Sequence, residues 1–212
     1  MKPESPSAPR EAVLDAALRL LGRSGYRKTT LDDLAQESGI ARRSIYVHFT
    51  SKEEIFLASI DRVVERLIAE LQRIANEEAE ASDRLWRMLV TRVMLRFDSV
   101  RGYHQSLDEM LADLRSQYLE RREVYFAAEA AVVAKVVDQG RRTLAWPVDD
   151  ASGTARALIV ATNALLPYSL SRKELGSRAA VQSDAAAVAT LLLRGVQGAG
   201  VVRSRRVIRN AR

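Results

Sequence analysis

A run of fifteen residues, 38–52, carries basic, hydroxyl and aromatic side chains but no acidic one. Arg42, Arg43 and Lys52 give this run three positive charges. A helix with such a surface can lie against a phosphate backbone without repulsion, and its small side chains can reach the edges of bases. The composition of the segment therefore indicates contact with nucleic acid.

Two histidines and a serine are the other residues that invite a chemical interpretation, and none has suitable neighbours. His48 and His104 are far apart in sequence, and neither belongs to a carboxylate–histidine spacing typical of a metal site. Ser44 lacks the flanking glycines of a nucleophile elbow. The chain has no cysteine, which excludes disulfides, thiol nucleophiles and cysteine-ligated metals. We therefore expect no enzyme activity, no metal site and no cofactor.

Apolar residues recur every three to four positions almost throughout the chain, which predicts an all-α protein. Three short helices are expected first; the second begins after Thr30 and ends at Ser38–Gly39, and the third spans about 41–47. Ser51 followed by Glu54 is a capping-box pattern, which predicts the start of a long connecting helix. A bundle of five more helices is predicted, about nine in total, at roughly 82–100, 104–116, 118–141, 151–170 and 181–196.

The net charge of +6 does not by itself locate a nucleic-acid surface. Residues 1–55 contain nine basic and eight acidic side chains, whereas residues 201–212 contain five arginines and no acid. That tail is either a solvated end or an additional source of non-specific attraction to DNA. The sequence shows no apolar stretch long enough to span a membrane and no signal-peptide core, so a cytoplasmic location without membrane contact is expected.

The segment from Thr29 to Phe56 resembles the DNA-binding domain of the TetR family of bacterial transcription regulators. The matching motifs are Thr29-Thr30, Ala35-x-x-x-Gly39-Ile40, Ser44-Ile45-Tyr46-x-His48-Phe49 and Ser51-Lys52-Glu53-Glu54. The resemblance is close over residues 10–57 and rests elsewhere on helix number and length, with Leu191-Leu-Leu-Arg-Gly195 as a further match. It implies a helix-turn-helix DNA-binding domain (10–57) and a ligand-binding and dimerisation domain (58–199), while composition predicts a disordered lead-in (1–9) and a basic, disordered tail (200–212).

In proteins of this family the second short helix enters the major groove of double-stranded DNA. The resemblance and the side-chain chemistry predict DNA contacts for Thr30, Ala41, Arg42, Arg43, Ser44, Tyr46, His48 and Lys52. A bidentate contact from Arg42 or Arg43 to guanine would contribute about 1–3 kcal/mol of discrimination. Taken alone, the two arginines could also be a solvated helix face, and Tyr46 could pack beside the first helix. Core positions are predicted at Ile40, Ile45 and Phe49.

The C-terminal half contains scattered aromatic residues, which could be ordinary core or could line the ligand cavity that the resemblance implies. Predicted ligand contacts are Trp86, Phe97, Tyr125 and Asn163, and the uncharged stripe through Trp86 and Phe97 favours a largely apolar ligand. The last two helices are rich in alanine and leucine, so a homodimer through them is expected.

These features predict a dimeric regulator, a repressor by preference, that binds a near-palindromic operator and is released by a small-molecule effector. Control by a protein partner instead of a small molecule is the alternative that the sequence leaves open.

Overall fold

The computed structural model describes residues 8–169, 174 and 176–198, with the backbone alone for Gln105. These residues form eight α-helices and two short 3₁₀ helices, and none of them forms a β-strand. The helices are α1 (Ala8–Ser24), α2 (Leu31–Ser38), α3 (Arg42–His48), α4 (Lys52–Ala75), α5 (Ala81–Val100), α6 (His104–Thr143), α7 (Ala151–Ala161) and α8 (Arg178–Val196); the 3₁₀ helices are Asn163–Leu165 and Pro167–Ser169. The all-α prediction is confirmed, with a helix count close to the nine expected.

Helix α6 is one continuous helix of 40 residues where the sequence predicts two. Residues 104–139 contain neither glycine nor proline, so no residue obliges the helix to end near position 117. The reverse applies to the helix predicted over 151–170, because α7 already ends at Ala161 and two 3₁₀ helices follow. Pro167 has no N–H with which to continue an α-helix there.

The first helix begins two residues inside the expected lead-in. Ala8 and Pro9 form its first turn, where proline is well tolerated because its missing N–H would have no helical partner. The rest of the lead-in, and the basic tail predicted at 200–212, lie outside the described residues.

One hydrophobic core joins the three short helices to the helices that follow. Leu14, Ile45 and Phe56, from α1, α3 and α4, are almost fully buried in it. Leu107 and Met110, near the start of α6, belong to the same core. The short helices are therefore packed directly against α6 as well as being connected to α4.

A second core fills the middle of the bundle, and α6 contributes to it as well. Its members include Leu71 of α4, Leu85 of α5, Val137 of α6 and Ile159 of α7. A third, smaller core brings Phe97 of α5 against α8. Because α6 passes from the first core to the second, a displacement of its C-terminal half can be transmitted to the short helices.

Helix α1 also approaches the turn between α5 and α6 at the level of the backbone. A Cβ atom added to Gly22 would lie 2.4 Å from the carbonyl oxygen of Gly102. Such a distance is far inside van der Waals contact, so the close approach requires glycine at position 22. This contact fixes α1 against the bundle.

Candidate nucleic-acid interface

Helix α2 begins at Thr30, whose side chain is used locally. The Thr30 hydroxyl accepts a hydrogen bond from the Asp33 backbone N–H at 3.1 Å, and Asp33 Oδ2 accepts from the Thr30 backbone N–H at 2.8 Å. This reciprocal arrangement is a capping box. The Thr30 hydroxyl also donates to Asp33 Oδ2, and these bonds lower the pKa of the Asp33 carboxyl. Thr30 is exposed, so its oxygen can accept a further bond but its proton is already engaged.

The turn from α2 to α3 depends on Gly39. Its φ of 71° is left-handed, and an added Cβ would meet no atom within 4 Å, so glycine is favoured there for its backbone freedom. Ala41 is the N-cap of α3 and is exposed. Ile45 and Phe49 are 1% and 3% exposed, which confirms them as core and fixes the rotation of α3 about its axis.

With Ile45 inward, the opposite face of α3 is open to solvent. Arg42, Arg43 and Tyr46 are exposed, whereas Ser44 and His48 are half-buried. The ring of His48 lies edge-on to Phe49, with 6.4 Å between the ring centroids. Val47 is 79% exposed, which is unusual for a valine on a helix anchored by its apolar face. The sequence interpretation did not select Val47, although its position four residues after Arg43 places both on one side of α3.

The exposed face of α3 has an acidic neighbour that the sequence interpretation missed. Arg42 Nη1 donates to both carboxylate oxygens of Asp32, at 2.9 and 3.0 Å, and Asp32 belongs to the first turn of α2. The Arg42 guanidinium also lies 5.9 Å from the Tyr46 ring centroid. Its hydrogen bond to Tyr46 and its pairing with Asp32 raise the pKa of Arg42. One of the two α3 arginines is thus paired within the protein.

Helix α4 begins at a cap that differs slightly from the predicted box. Ser51 Oγ accepts from the Glu54 backbone N–H at 3.2 Å, but the Glu54 carboxylate accepts from the backbone N–H and hydroxyl of Thr50 instead of Ser51. Hydrogen bonding to Thr50 lowers the pKa of Glu54. The cap holds the exit of α3 at a defined angle to α4.

Lys52 is turned towards the loop between α1 and α2. Its Nζ donates to the Tyr26 carbonyl oxygen at 3.1 Å and lies 4.3 Å from the centroid of the Tyr26 ring. The Tyr26 hydroxyl donates in turn to Glu53 Oε1 at 3.2 Å. Burial, with Glu53 nearby, raises the pKa of Tyr26. Lys52 therefore holds the loop through one N–H of its ammonium group, and its other N–H groups do not bond to the Tyr26 carbonyl.

A cavity of about 660 Å³ lies between α6 and α7 in the C-terminal half. Phe126, Ala130 and Ile159 supply apolar wall, and Arg122, Glu123, Arg156 and Asn163 supply polar wall. This volume is in the range that holds small organic ligands. The other three predicted ligand contacts do not line it, so the four candidates are not brought together.

Those three residues connect helices to one another. Trp86 Nε1 donates to Thr190 Oγ1 of α8 at 3.1 Å, and Phe97 is 7% exposed in the third core. The Tyr125 hydroxyl donates to Asp61 of α4, and burial raises the pKa of this tyrosine. Phe126, which does line the cavity, follows Tyr125 directly in the chain. The aromatic content alone could not distinguish the two, since both positions are only half-buried.

The helices of the described residues are all too short or too polar to cross a membrane. No group of three or more His, Cys, Asp or Glu side chains among residues 8–169, 174 and 176–198 is arranged to hold a metal ion.

Comparison with known proteins identifies the class to which this helix-turn-helix fold belongs. Residues 13–59 match the family described as bacterial regulatory proteins, tetR family. The chain is 37% identical over 75 residues to the HTH-type transcriptional repressor ComR of Escherichia coli, covering 34% of this chain and 36% of ComR. It is 29% identical over 147 residues to the HTH-type transcriptional regulator EthR of Mycobacterium tuberculosis, covering 66% of each protein. The chain thus spans about one third to two thirds of the length of these curated relatives.

A solved structure extends the likeness to most of the chain. A transcriptional regulator from Cytophaga hutchinsonii superimposes with a TM-score of 0.71 at 19% identity, covering 88% of this chain and 97% of that one. At such identity the likeness is one of fold. The helix-turn-helix region of this protein, residues 13–59, thus belongs to the TetR family, and the described chain as a whole shares its fold with that transcriptional regulator.

Proposed function

We propose that this protein is a ligand-responsive transcriptional repressor of the bacterial cytoplasm that binds a near-palindromic operator as a homodimer. The observation that carries the proposal is the exposed face of α3, which presents Arg42, Arg43 and Tyr46 and contains no acid. Because Ile45 and Phe49 anchor the opposite face, this surface is held outward on a rigid support. A rigid, cationic helix of this size fits the major groove.

Base contacts are assigned to the N-terminal part of α3, which enters a major groove first in this motif. Arg43 has the geometry for a bidentate contact to guanine, and Val47 on the same side of the helix could pack against a thymine methyl group. Ala41 and Ser44 are small enough to let the helix approach closely. Arg42 would contact a base once its ion pair with Asp32 is broken.

Phosphate contacts are assigned to residues around α3. Tyr46 can donate its hydroxyl, and Lys52, at the N-terminus of α4, can donate an N–H not used by Tyr26. Thr30 and His48 flank the same face. Such contacts position the protein on DNA without distinguishing between base sequences. Because they are electrostatic, their contribution to affinity falls as the salt concentration rises.

The dimer is assigned to α7 and α8. Leu191 of α8 is 67% exposed, and it lines a largely apolar groove between α7 and α8. A second copy related by a two-fold axis would cover Leu191 and this groove, and would place two α3 helices for major grooves about 34 Å apart. Leu191→Lys should therefore yield monomers in sedimentation. Val124→Lys, at a position of α6 that is 69% exposed, is the control.

The effector is assigned to the cavity between α6 and α7. Asn163 lines this cavity. Contacts of the effector with Trp86, Phe97 and Tyr125 are predicted only for a molecule that extends beyond the cavity into the bundle. An effector that favours a different position of α6 would shift the population towards dimers whose α3 helices are wrongly spaced. Helix α6 can carry this change because it shares a core with the short helices, alongside the direct connection through α4.

Selection from randomised duplex DNA tests the central claim. The enriched sequence should be near-palindromic, and Arg43→Ala should weaken binding to it by about 5- to 150-fold, the equivalent of one base contact. Arg42→Ala should weaken it as well. Arg66→Ala, which removes an exposed arginine from α4, is the matched control. Unchanged affinity in both α3 variants would overturn the proposal.

Control by a protein partner is the second candidate, and the same DNA complex separates it from the first. Small molecules that bind the purified protein are titrated against the complex with the selected DNA. Release of DNA by a bound molecule supports the effector model. Binding without release by any of them favours the protein partner.

A further inference from the structure

The centre of the bundle contains two arginines and one carboxylate. Arg92 and Arg96 of α5 are 0% and 2% exposed, and Glu129 of α6 is 0% exposed. Arg92 Nε donates to Glu129 Oε2 at 2.6 Å, and Arg96 Nη2 donates to Glu129 Oε1. The three groups therefore carry one positive charge in excess. Buried charges are normally fully paired, because an uncompensated one loses its hydration without replacement.

One nitrogen of Arg92 in this cluster is left without a hydrogen-bond acceptor in the described part of the chain. Its Nη1 donates to Thr162 Oγ1 at 2.9 Å and its Nε is taken by Glu129, but its buried Nη2 has no hydrogen-bond partner among the described residues. Burial lowers the pKa of Arg92, and Arg96 adds to the effect, while Glu129 opposes it. An arginine starts from so high a pKa that it stays charged at neutral pH.

This unpaired group lies directly behind the wall of the α6–α7 cavity. The Arg92 guanidinium carbon is 5.0 Å from the ring centroid of Phe126, a residue that lines the cavity. Thr162, which accepts from Arg92, directly precedes Asn163, another lining residue. The Phe126 ring is therefore a neighbour of both the Arg92 guanidinium and the cavity.

The cavity wall itself carries more positive than negative charge. Arg122 and Arg156 line it, opposed by the single carboxylate of Glu123. The Arg122 guanidinium carbon lies 5.7 Å from the same Phe126 ring. Movement of that ring would connect the cavity with Arg92. The remaining wall is largely apolar, with Ala130 and Ile159 among its members.

We propose that the effector is an amphipathic anion whose charged group pairs with Arg92 behind Phe126 while its apolar part occupies the α6–α7 cavity. This inference rests on the proposed function and deepens it by naming the chemical class of the effector. An anion at Arg92 would balance the buried charge and give Nη2 an acceptor. A neutral apolar molecule of the same shape would do neither.

Decanoate and 1-decanol are matched probes, since they share a chain and differ in charge at neutral pH. Binding to the purified protein without DNA is measured by calorimetry at submillimolar concentrations. Decanoate should bind at least tenfold more tightly than 1-decanol. Equal binding of the two, tighter binding of 1-decanol, or no binding of decanoate would overturn the proposal.

Substitutions of Arg92 test whether this residue pairs with the carboxylate of decanoate. Arg92→Met should weaken decanoate binding at least tenfold and leave 1-decanol binding unchanged. Arg92→Lys, which keeps the charge but loses the fork of donors, should give an intermediate affinity and provides the test if Arg92→Met does not fold. Arg87→Met, the same substitution on the surface of α5, is the control. Full decanoate affinity in Arg92→Met or in Arg92→Lys would overturn the proposal.

The two proposals fail separately. DNA selected by the wild-type protein should still be bound by Arg92→Met, but decanoate should no longer release it. If no DNA is selected, the proposed function fails, whereas the calorimetric comparison still decides the anion site on its own.

Discussion

Arg27 and Asp113 join the loop after α1 to the first half of α6 through a two-pronged ion pair. Arg27 Nη2 donates to Asp113 Oδ1 at 2.8 Å and Arg27 Nε donates to Oδ2 at 3.0 Å. Glu109, one turn earlier on α6, lies 3.6 Å from Arg27 Nε. Both partners are accessible to solvent, so the pair contributes little to stability, but it ties the short helices to the helix that lines the cavity.

The first prediction concerns the protonation of this pair. Hydrogen bonding from Arg27 lowers the pKa of the Asp113 carboxyl. A lowered pKa in the folded state means that the stabilisation is present above the ordinary aspartate pKa of about 3.9 and is lost as the pH falls through the lower, folded value. In Arg27→Gln the Asp113 pKa should return towards about 3.9 in an NMR titration. Arg101→Gln is the control, and an unmoved Asp113 pKa in Arg27→Gln would contradict the ion pair.

A second prediction follows from Asp32, which holds Arg42 within the protein. Asp32→Asn should increase DNA affinity by about two- to tenfold, because Arg42 no longer leaves an ion partner and a negative charge near the phosphates is removed. Binding is measured at several salt concentrations with the selected duplex. Asp83→Asn, an exposed acid on α5, should have no effect. Weaker binding by Asp32→Asn would mean that Asp32 positions Arg42 for contact and does not compete for it.

The local features of the helix-turn-helix region were predictable because they depend on neighbours in sequence. The caps at Thr30 and Ser51, the turn at Gly39 and the core positions Ile45 and Phe49 all follow from spacing within a few residues. The Arg42–Asp32 pair did not follow, although it lies in the same region. Its two partners are ten residues apart on different helices, so only the angle between α2 and α3 brings them together.

The cavity and the buried charges depend even more on long-range packing. Arg92 and Glu129 are 37 residues apart, and Arg92 and Thr162 are 70 apart. From the sequence alone, Arg92 and Arg96 would be placed on the solvent-facing side of a helix, because arginine is rarely fully buried. Trp86 and Tyr125 were predicted as ligand contacts because they are aromatic residues of the C-terminal half. Their hydrogen bonds to other helices could not be inferred from the sequence.

A third prediction concerns the backbone contact between α1 and the α5–α6 turn. Gly22→Ala places a methyl group against the carbonyl oxygen of Gly102, and backbone atoms cannot move away cheaply. The free energy of unfolding should fall by about 1–3 kcal/mol, as for other overpacked sites. Gly102→Ala is a matched control, since a Cβ there would meet no atom within 4 Å. Equal stability of the two variants in urea titrations would contradict the close approach.

The last prediction uses the buried charges to distinguish a structural ion cluster from an anion site. Glu129→Gln removes the only carboxylate that contacts Arg92 and Arg96 in the described structure, and it should destabilise the protein by about 3–5 kcal/mol, because both arginines then lack a counter-ion.

Glu120→Gln, an exposed glutamate on the same helix, should change stability little. Decanoate should raise the melting temperature of Glu129→Gln more than that of the wild type, because the excess charge it can balance has grown from one to two. Decanoate should raise the melting temperature of Arg92→Met less than that of the wild type. In this variant Glu129 pairs with Arg96 alone, so the buried cluster has no excess charge. A smaller decanoate response in Glu129→Gln than in the wild type would mean that Glu129, and not the excess positive charge, governs the site.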